Sequence, residues 1–508
     1  MEIFEIQSLN DLGHPHYLLI ALLILIMGNY LKLRFISLLA VGIIFYDFFS
    51  LSDFSSQDVL HYSLDILLLA GLSYISSILN KGFFRISFFP IAMLACLVIH
   101  SSYSDKLNVS VQDNSKLDNT VELMVLHESE ADRNTWIADY RNDYGIEFPL
   151  YTPLDKSGIL DDFVGLNVPD DIDAYALMKE LLEDPRVTYI EGNEILELQK
   201  PQEHTDADAF RMQQTGSDPL ASKQWSLNSI HSDKYYNLIQ DRISAQSVDP
   251  VFICILDTGT DAGHEDLREN FYSVDSGYDS DPQGHGTHCA GVAAAVTGNN
   301  IGIASLLPPH SPVKVSGIQV LNSFGIGTQE RIIDGIIEAV DKGADVISLS
   351  LGALTNPEKE KAYTEAVDYA RKHNCIVVIA AGNSSMDAAR FSPANTKGVL
   401  TVSASNAKNQ KASFANHLDN IDMGIYAPGE KILSCYPRDN YKSLSGTSMA
   451  APYVAGFAGL MKYFNPDMTV EELYRILNHS ADTNAKGHKM INAEKALEYY
   501  LSEERISQ

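Results

Sequence analysis

In the stretch SGTSMAAP, Ser445–Pro452, two hydroxyls stand directly before a small-residue run that continues through Val454, Phe457, Leu460 and Met461. That spacing predicts a buried helix whose first turn is the Gly446-Thr447-Ser448 corner. Unpaired backbone N–H groups and the positive end of the helix dipole meet there, which suits a developing negative charge and hence acyl chemistry. A plain helix cap is the alternative, and the choice rests on finding a base, an orienting group and an oxyanion donor elsewhere. VFICILDTG reads as an apolar strand ending in Asp257, and in open α/β sheets the carboxyl ends of strands form the active crevice. GHGTHCAGVAAAV sets His285 and His288 at the start of a second apolar helix. No Glu or Cys nearby completes a familiar ligand pattern, so metal binding is the weaker reading. A helix N-terminus disfavours a cationic ring, so His285 is expected to be neutral and ready to accept a proton, with a buried carboxylate such as Asp257 fixing its tautomer. CIVVIAAGNSS is a second buried strand ending in Gly382 and Asn383, whose amide can donate to an oxyanion. Taken singly, Asp257 and Asn383 also read as turn residues. Together, in the order Asp, His, Ser, these residues make one complete set for acyl transfer.

The elements that must position them follow from the pattern around them. From about Gln224 onward strands alternate with helices, which predicts an α/β, doubly wound parallel sheet. Before it, residues 118–198 read as a small α+β module: VELMVLH, DDFVGLNV and RVTYIEG are strand-like, and DAYALMKELLEDP has helical spacing. Residues 199–222 between the two are polar and acidic and read as an exposed linker. Residues 1–101 hold apolar runs around Tyr17–Gly28, Phe35–Leu51, Leu60–Leu79 and Phe83–His100, each near or below the ~20 residues of a membrane span. A signal peptide supplies one such run, so a bundle of about four transmembrane helices is expected, with buried helices of a soluble domain as the alternative. Lys32, Arg34, Lys81 and Arg85 lie in two connections and Glu2, Glu5, Asp11, Asp53 and Asp58 in the others, which places the N-terminus and everything after residue 101 on the periplasmic or extracellular side.

Lys and Arg number 37 against 66 Asp and Glu, a net charge of −29, and such a surface repels nucleic acid. The five cysteines are scattered without CxxC pairs and read as buried small hydrophobes.

ILDTGTDAGHEDL, GHGTHCAG, VISLSLG, AAGN and GTSMAAPYVAG together resemble the subtilisin-like serine proteases, over roughly Gln224 to the late 480s. The resemblance implies a subtilisin-like peptidase domain over 223–500, with Ser448 as nucleophile, His285 as general base and acid, and Asp257 orienting His285. It further implies Asn383 and the N–H of Ser448 as the oxyanion hole, a structural role for His288, and a non-nucleophilic Cys289 as in the proteinase K and kexin branches. Ser350, Leu351 and Gly352, with Gly325 and Gly327 of FGIGT, resemble the two segments that hold a substrate peptide as an added strand. No cofactor is required for such chemistry. Asp266 and the TGNNIGI loop resemble a structural calcium site, with a shorter loop than the calcium-binding pattern and an ordinary surface loop as the alternative. The middle module resembles the ferredoxin-like inhibitory propeptide of this family, which lays its tail in the cleft, so self-cleavage within 199–222 is expected. The implied partners are protein or peptide substrates, the chain's own propeptide and a lipid bilayer. Cleavage of the linker would release the protease from its anchor. A scaffold without activity and a membrane-bound esterase are the competing readings.

Overall fold

The computed structural model describes residues 123–140, 145–147, 162–168, 174–193, 195–198, 202–203, 218–243, 250–354 and 361–507. The expected membrane bundle, 1–101, lies outside the described residues; among those described, no helix is long and apolar enough to cross a membrane.

The small module runs β1 (Leu123–His127), α1 (Glu130–Tyr140), β2 (Gly145–Glu147), β3 (Phe163–Asn167), α2 (Ala174–Leu181) and β4 (Val187–Gly192). Its antiparallel sheet has the order β2-β3-β1-β4, the arrangement of a split β-α-β unit. All of β1 is buried, so it needs cover on both faces. Leu123 and Val125 pack with Trp136, Ile137, Leu177 and Leu181 of the module's own helices. Met124, Leu126 and Phe163, on the other face, belong to a core that includes Ile332, Ile336 and Tyr363 of the larger domain. After β4 the chain forms two short strands, β5 (Ile195–Glu197) and β6 (Gln202–Glu203), both paired with the larger domain.

That domain opens with a short helix over Trp225–Ser229, followed by α3 (Ser232–Ile243) and β7 (Val251–Asp257), continues through α4 (His285–Ala294), β8 (Val313–Gln319), β9 (Ile326–Thr328) and α5 (Gln329–Asp341), and then β10 (Val346–Leu349), α6 (Lys361–Lys372), β11 (Ile376–Ala380) and β12 (Leu400–Ser405). It ends with β13 (Gly424–Pro428), β14 (Ile432–Tyr436), β15 (Asn440–Ser445), α7 (Thr447–Phe464), α8 (Val470–Ser480), β16 (Asp482–Thr483), β17 (Lys489–Met490) and α9 (Ala493–Ser507). The main sheet has the order β16-β17-β13-β12-β11-β10-β7-β8, parallel except for the β16–β17 edge. In β7 the period of two sorts the side chains: Ile253 and Ile255 face the core that holds α4 and α7, while Phe252, Cys254 and Leu256 face the core under α5 and α6. From β7 the order grows toward β8 on one side and β10 on the other, so the switch point lies at the carboxyl ends of β7 and β10. The last helix of the domain packs near its start: α9 lies against α3, with Ala493 N–H donating to Ile230 O, just ahead of α3, at 3.1 Å and Lys234 paired with Glu494 at 3.3 Å. This helix runs to Ser507, seven residues beyond the expected domain end at 500.

The stretch expected as an exposed linker differs at both of its described ends. Gln202 and Glu203 form a strand, and Asp218 is 5 % exposed, accepting from Gly298 N–H at 2.8 Å and Asn300 N–H at 3.2 Å. Polar composition favours solvent, but these backbone and carboxylate groups find fixed partners on the larger domain. Cys254, Cys289, Cys375 and Cys435 are buried and free, as their apolar surroundings imply.

Candidate active site

Asp257 closes β7 at the switch point and His285 opens α4 beside it. Both Asp257 oxygens lie 2.8 Å from His285 Nδ1, and both residues are essentially inaccessible. With Nδ1 donating to the carboxylate, Nε2 is the acceptor, and it is buried without a partner. Burial opposes charging of this ring, and the Asp257 carboxylate more than offsets it, so the His285 pKa is held well above its ordinary value. This differs from the expectation that a helix N-terminus lowers the ring's proton affinity. The physical reason is the Asp257 carboxylate in direct contact with the ring; the first amides of α4 are themselves capped by side chains. Gly284 and Thr287 N–H donate to Asp281 at 2.7 and 2.8 Å, Gly286 N–H to Thr258 Oγ1 at 3.1 Å, and His285 N–H to Gln283 Oε1 at 2.8 Å.

Ser448 sits in the first turn of α7, where Thr447 to Tyr463 are all buried. Pro452 lies four residues on and lacks the N–H that would bond to Ser448 O. That carbonyl instead accepts from Ser350 Oγ at 3.0 Å and faces Cys289 Sγ at 3.4 Å. Cys289 Sγ is also 3.8 Å from His285 Nδ1, so one thiol touches both the histidine and the serine backbone. Burial raises the Cys289 pKa, which keeps the thiol protonated and makes it a poor nucleophile. Although Asp257, His285 and Cys289 lie within 4.8 Å of one another, the carboxylate is committed to the histidine. Ser448 Oγ donates to Ser350 O at 3.1 Å.

Asn383 follows β11, and its Oδ1 accepts from Thr447 N–H at 2.8 Å and Thr447 Oγ1 at 3.0 Å. Two donors on one oxygen settle the amide's orientation, leaving Nδ2 as the group on the Gly446 side, 3.4 Å from where a Cβ on that glycine would stand. Gly382 N–H returns a bond to Thr447 Oγ1 at 3.0 Å, so β11 and the start of α7 are clamped together. His288 is buried with its pKa lowered to about 3 by burial, and its Nε2 bridges Ile432 O and Lys442 O at 3.1 Å each, tying α4 to β14 and β15.

The two expected binding segments behave differently. Gly325 and Gly327 meet the segment after the small module: β5 pairs with β9, Leu196 opposite Gly327. Ser350, Leu351 and Gly352 lie at the end of β10 against Ser448, and among the described residues no ladder joins them to β5. Asp266 is buried, accepting from Ile303 N–H and Asn299 Nδ2 at 2.8 Å each. Burial, with the charge of nearby Asp218, pushes its pKa up to about 7. Two buried carboxylates, Asp218 and Asp266, accept from the same loop, residues 298–303, and the charge of Asp218 adds to the cost of ionising Asp266, which fits a site that a hard cation would neutralise.

The sequence reading missed Asp281, Thr258 and Asp218. Asp281 is 5 % exposed and accepts five hydrogen bonds, from Thr258 Oγ1, Gln283 N–H, Gly284 N–H, Thr287 N–H and Thr287 Oγ1. Its place just ahead of an apolar helix was the available signal.

Residues 249–495 match the model of the subtilase family. Thermitase of Thermoactinomyces vulgaris is 36 % identical over 300 residues, covering 56 % of this chain and all of that protein. Subtilisin DY of Bacillus licheniformis is 37 % identical over 269 residues, covering 50 % of this chain and 94 % of that protein. A protease from Pseudoalteromonas arctica, of known structure, is 29 % identical with a TM-score of 0.49, covering 56 % of this chain and 99 % of that one.

Proposed function

From the premise that the chain belongs to the subtilase family and is a serine endopeptidase, we propose that Ser448 is the nucleophile, His285 the base and acid, and Asp257 the residue that orients it. The observation that carries this reading is the buried Asp257–His285 pair at 2.8 Å with Nε2 left without a partner. Ser448 Oγ turns from Ser350 O to Nε2 and attacks the scissile carbonyl as its proton passes to His285. The imidazolium is stabilised by Asp257 and returns the proton to the leaving amine. Asn383 Nδ2 and Ser448 N–H hold the oxyanion, in a site where burial makes each hydrogen bond count for more than in water. Water then hydrolyses the acyl-enzyme by the same route.

The small module acts as an inhibitory propeptide, and the protein is made as a self-cleaving zymogen. Glu191 supports this role: fully buried, it accepts from Gln329 Nε2, Lys361 N–H and Ala362 N–H at 3.0 to 3.3 Å, placing a carboxylate at the start of α6. Asn193 accepts from Glu330 N–H at 2.9 Å at the start of α5. Asp266 and Asp218, with the 297–303 loop, would hold a structural calcium ion remote from the chemistry. The apolar runs of 1–101 anchor the chain in a bilayer, with the catalytic domain outside the cytoplasm and released by maturation.

Fluorophosphonate labelling of expressing cells, read separately in membrane and soluble fractions with Ser448→Ala as control, tests the whole reading. A soluble labelled band that lacks the first two domains and vanishes in the variant is expected. Ser448-dependent label held only in full-length membrane protein overturns release, and absence of label from both overturns the nucleophile.

A further inference from the structure

β15 has two edges. One pairs with β14, Ser434 opposite Lys442 and Tyr436 opposite Asn440. The other receives β6, antiparallel, with Gln202 opposite Ser445 and Glu203 opposite Leu444. β15 leads through Gly446 and Thr447 directly to Ser448, so a chain laid antiparallel on this edge runs away from the nucleophile as it proceeds. A substrate takes the same direction beyond its scissile bond. His285 protonates the leaving amine, and the residues that follow depart on the side of the cleft that His285 occupies. Strand addition to the free edge of β15 is the backbone contact open to them.

Residues two apart on a strand share a face, and opposite or diagonal residues meet across a ladder. Lys442 therefore shares a face with Leu444 on its own strand and with Ser434 and Tyr436 on β14. Ser434 Oγ donates to His288 O at 2.8 Å and Tyr436 O–H to Gln283 O at 2.9 Å, so this face is turned to the start of α4. The Tyr436 ring fills the space beside Gly284, where a Cβ would stand 2.4 Å from ring Cζ, and His285 is the next residue. Lys442 Nζ lies over the same ring, 4.7 Å from its centroid, a contact that orients the ammonium and leaves its charge intact. In a chain of net charge −29, which repels acidic peptides at long range, a cation fixed here decides whether they are accepted. The chain's own β6 places a glutamate, Glu203, at the register position opposite Leu444 and diagonal to Lys442, where opposite charges on one face attract. We propose that Lys442 is a specificity-determining residue for the leaving-group side of the substrate, selecting an acidic residue where the substrate lies opposite Leu444. The proposal rests on the reading of Ser448 as nucleophile and His285 as the acid.

Active enzyme obtained from the full chain, its concentration set by fluorophosphonate titration, is given internally quenched peptides in which Glu replaces Gln at each leaving-group position in turn. At one position Glu should raise kcat/KM about three- to fivefold over Gln at low salt, the scale of a partly exposed ion pair, and the gain should fade as salt rises. Lys442→Gln should remove the difference while the Gln peptide is cut as before. Lys442→Arg should keep it, and Lys442→Glu should reverse it, so that Lys at that position is preferred. Equal rates for Glu and Gln at every position, or a Glu preference that survives in Lys442→Gln, overturns the proposal while the catalytic reading stands. Loss of Gln-peptide hydrolysis in Lys442→Gln also overturns it, since that is what a purely structural lysine would give. If no peptide is hydrolysed in a Ser448-dependent manner, the catalytic reading falls and the proposal with it.

Discussion

The two sheets of this protein are covered in different ways. The eight-stranded sheet has helices from its own chain segment on both faces, α4 and α7 on one and α5 and α6 on the other. The four-stranded sheet has its own helices on one face only, and Met124, Leu126 and Phe163 on the other complete a core shared with Ile332, Ile336 and Tyr363. The larger domain can close its core alone. The module needs its partner, because leaving those three side chains in water would forfeit about 1.5–3 kcal/mol each. A unit whose order depends on docking suits a transient role.

If that contrast holds, changes in the catalytic site should remove activity without unfolding the domain, and changes on the module's docking face should lower the yield of folded enzyme without altering the mature enzyme. Ser448→Ala should lower peptide hydrolysis by about 10⁴-fold or more with an unchanged circular dichroism spectrum; a lost fold would break the contrast. Asn383→Ala should lower kcat by ~10²- to 10³-fold and leave KM nearly unchanged, as removal of one oxyanion donor does. Asp281→Asn replaces an acceptor by a donor facing amides that already donate, and the resulting shift of α4 against Asp257 should cost about 10- to 100-fold in kcat, read by steady-state kinetics. Met124→Asp should lower folded yield severalfold, about the effect of 1–2 kcal/mol, while active-site titration of whatever matures gives the wild-type kcat. The last effect is a displacement along the pH axis. In the proposed mechanism only a neutral His285 accepts the proton, and its pKa lies above the ordinary value. Activity should therefore fall with decreasing pH through a value above the ~6.5 of free imidazole, and the pH profile of kcat/KM measures it.

Long, buried, single-purpose elements were the ones visible in the sequence. VFICILD is an uninterrupted apolar run because both faces of β7 are covered, and SMAAP marks a helix start because small residues must pass close to the sheet. Asp257, His285, Asn383 and Ser448 sit at element ends, where turn residues and chemistry share the same signals, so only their combination was informative. The bonds that lock them were out of reach. Asp281 acts through Thr258, and Asn383 through Thr447, across contacts of 23 and 64 residues in sequence that no local pattern encodes. The linker misled for a related reason: Asp218 is polar enough to look solvated, yet each of its oxygens accepts from an amide of a loop about eighty residues away. His285 misled because dipole reasoning weighs only the helix terminus, whereas the Asp257 carboxylate against Nδ1 decides the ring's proton affinity.

The packing of α9 on α3 has a consequence for how the catalytic domain comes apart. An early helix of the domain, α3, and its last, α9, lie side by side, joined by Ala493 to Ile230 and by Glu494 to Lys234. Its two chain ends thus leave from one neighbourhood, and a pull applied to both would load this single clasp before any strand of the sheet. A protease that survives its own activity must deny other copies a loose end to begin on. Here fraying of the last helix requires it to part from α3, and the stretch ahead of α3 is held separately, Leu220 by Gly302, Gln224 by Ala304 and Trp225 by Glu430.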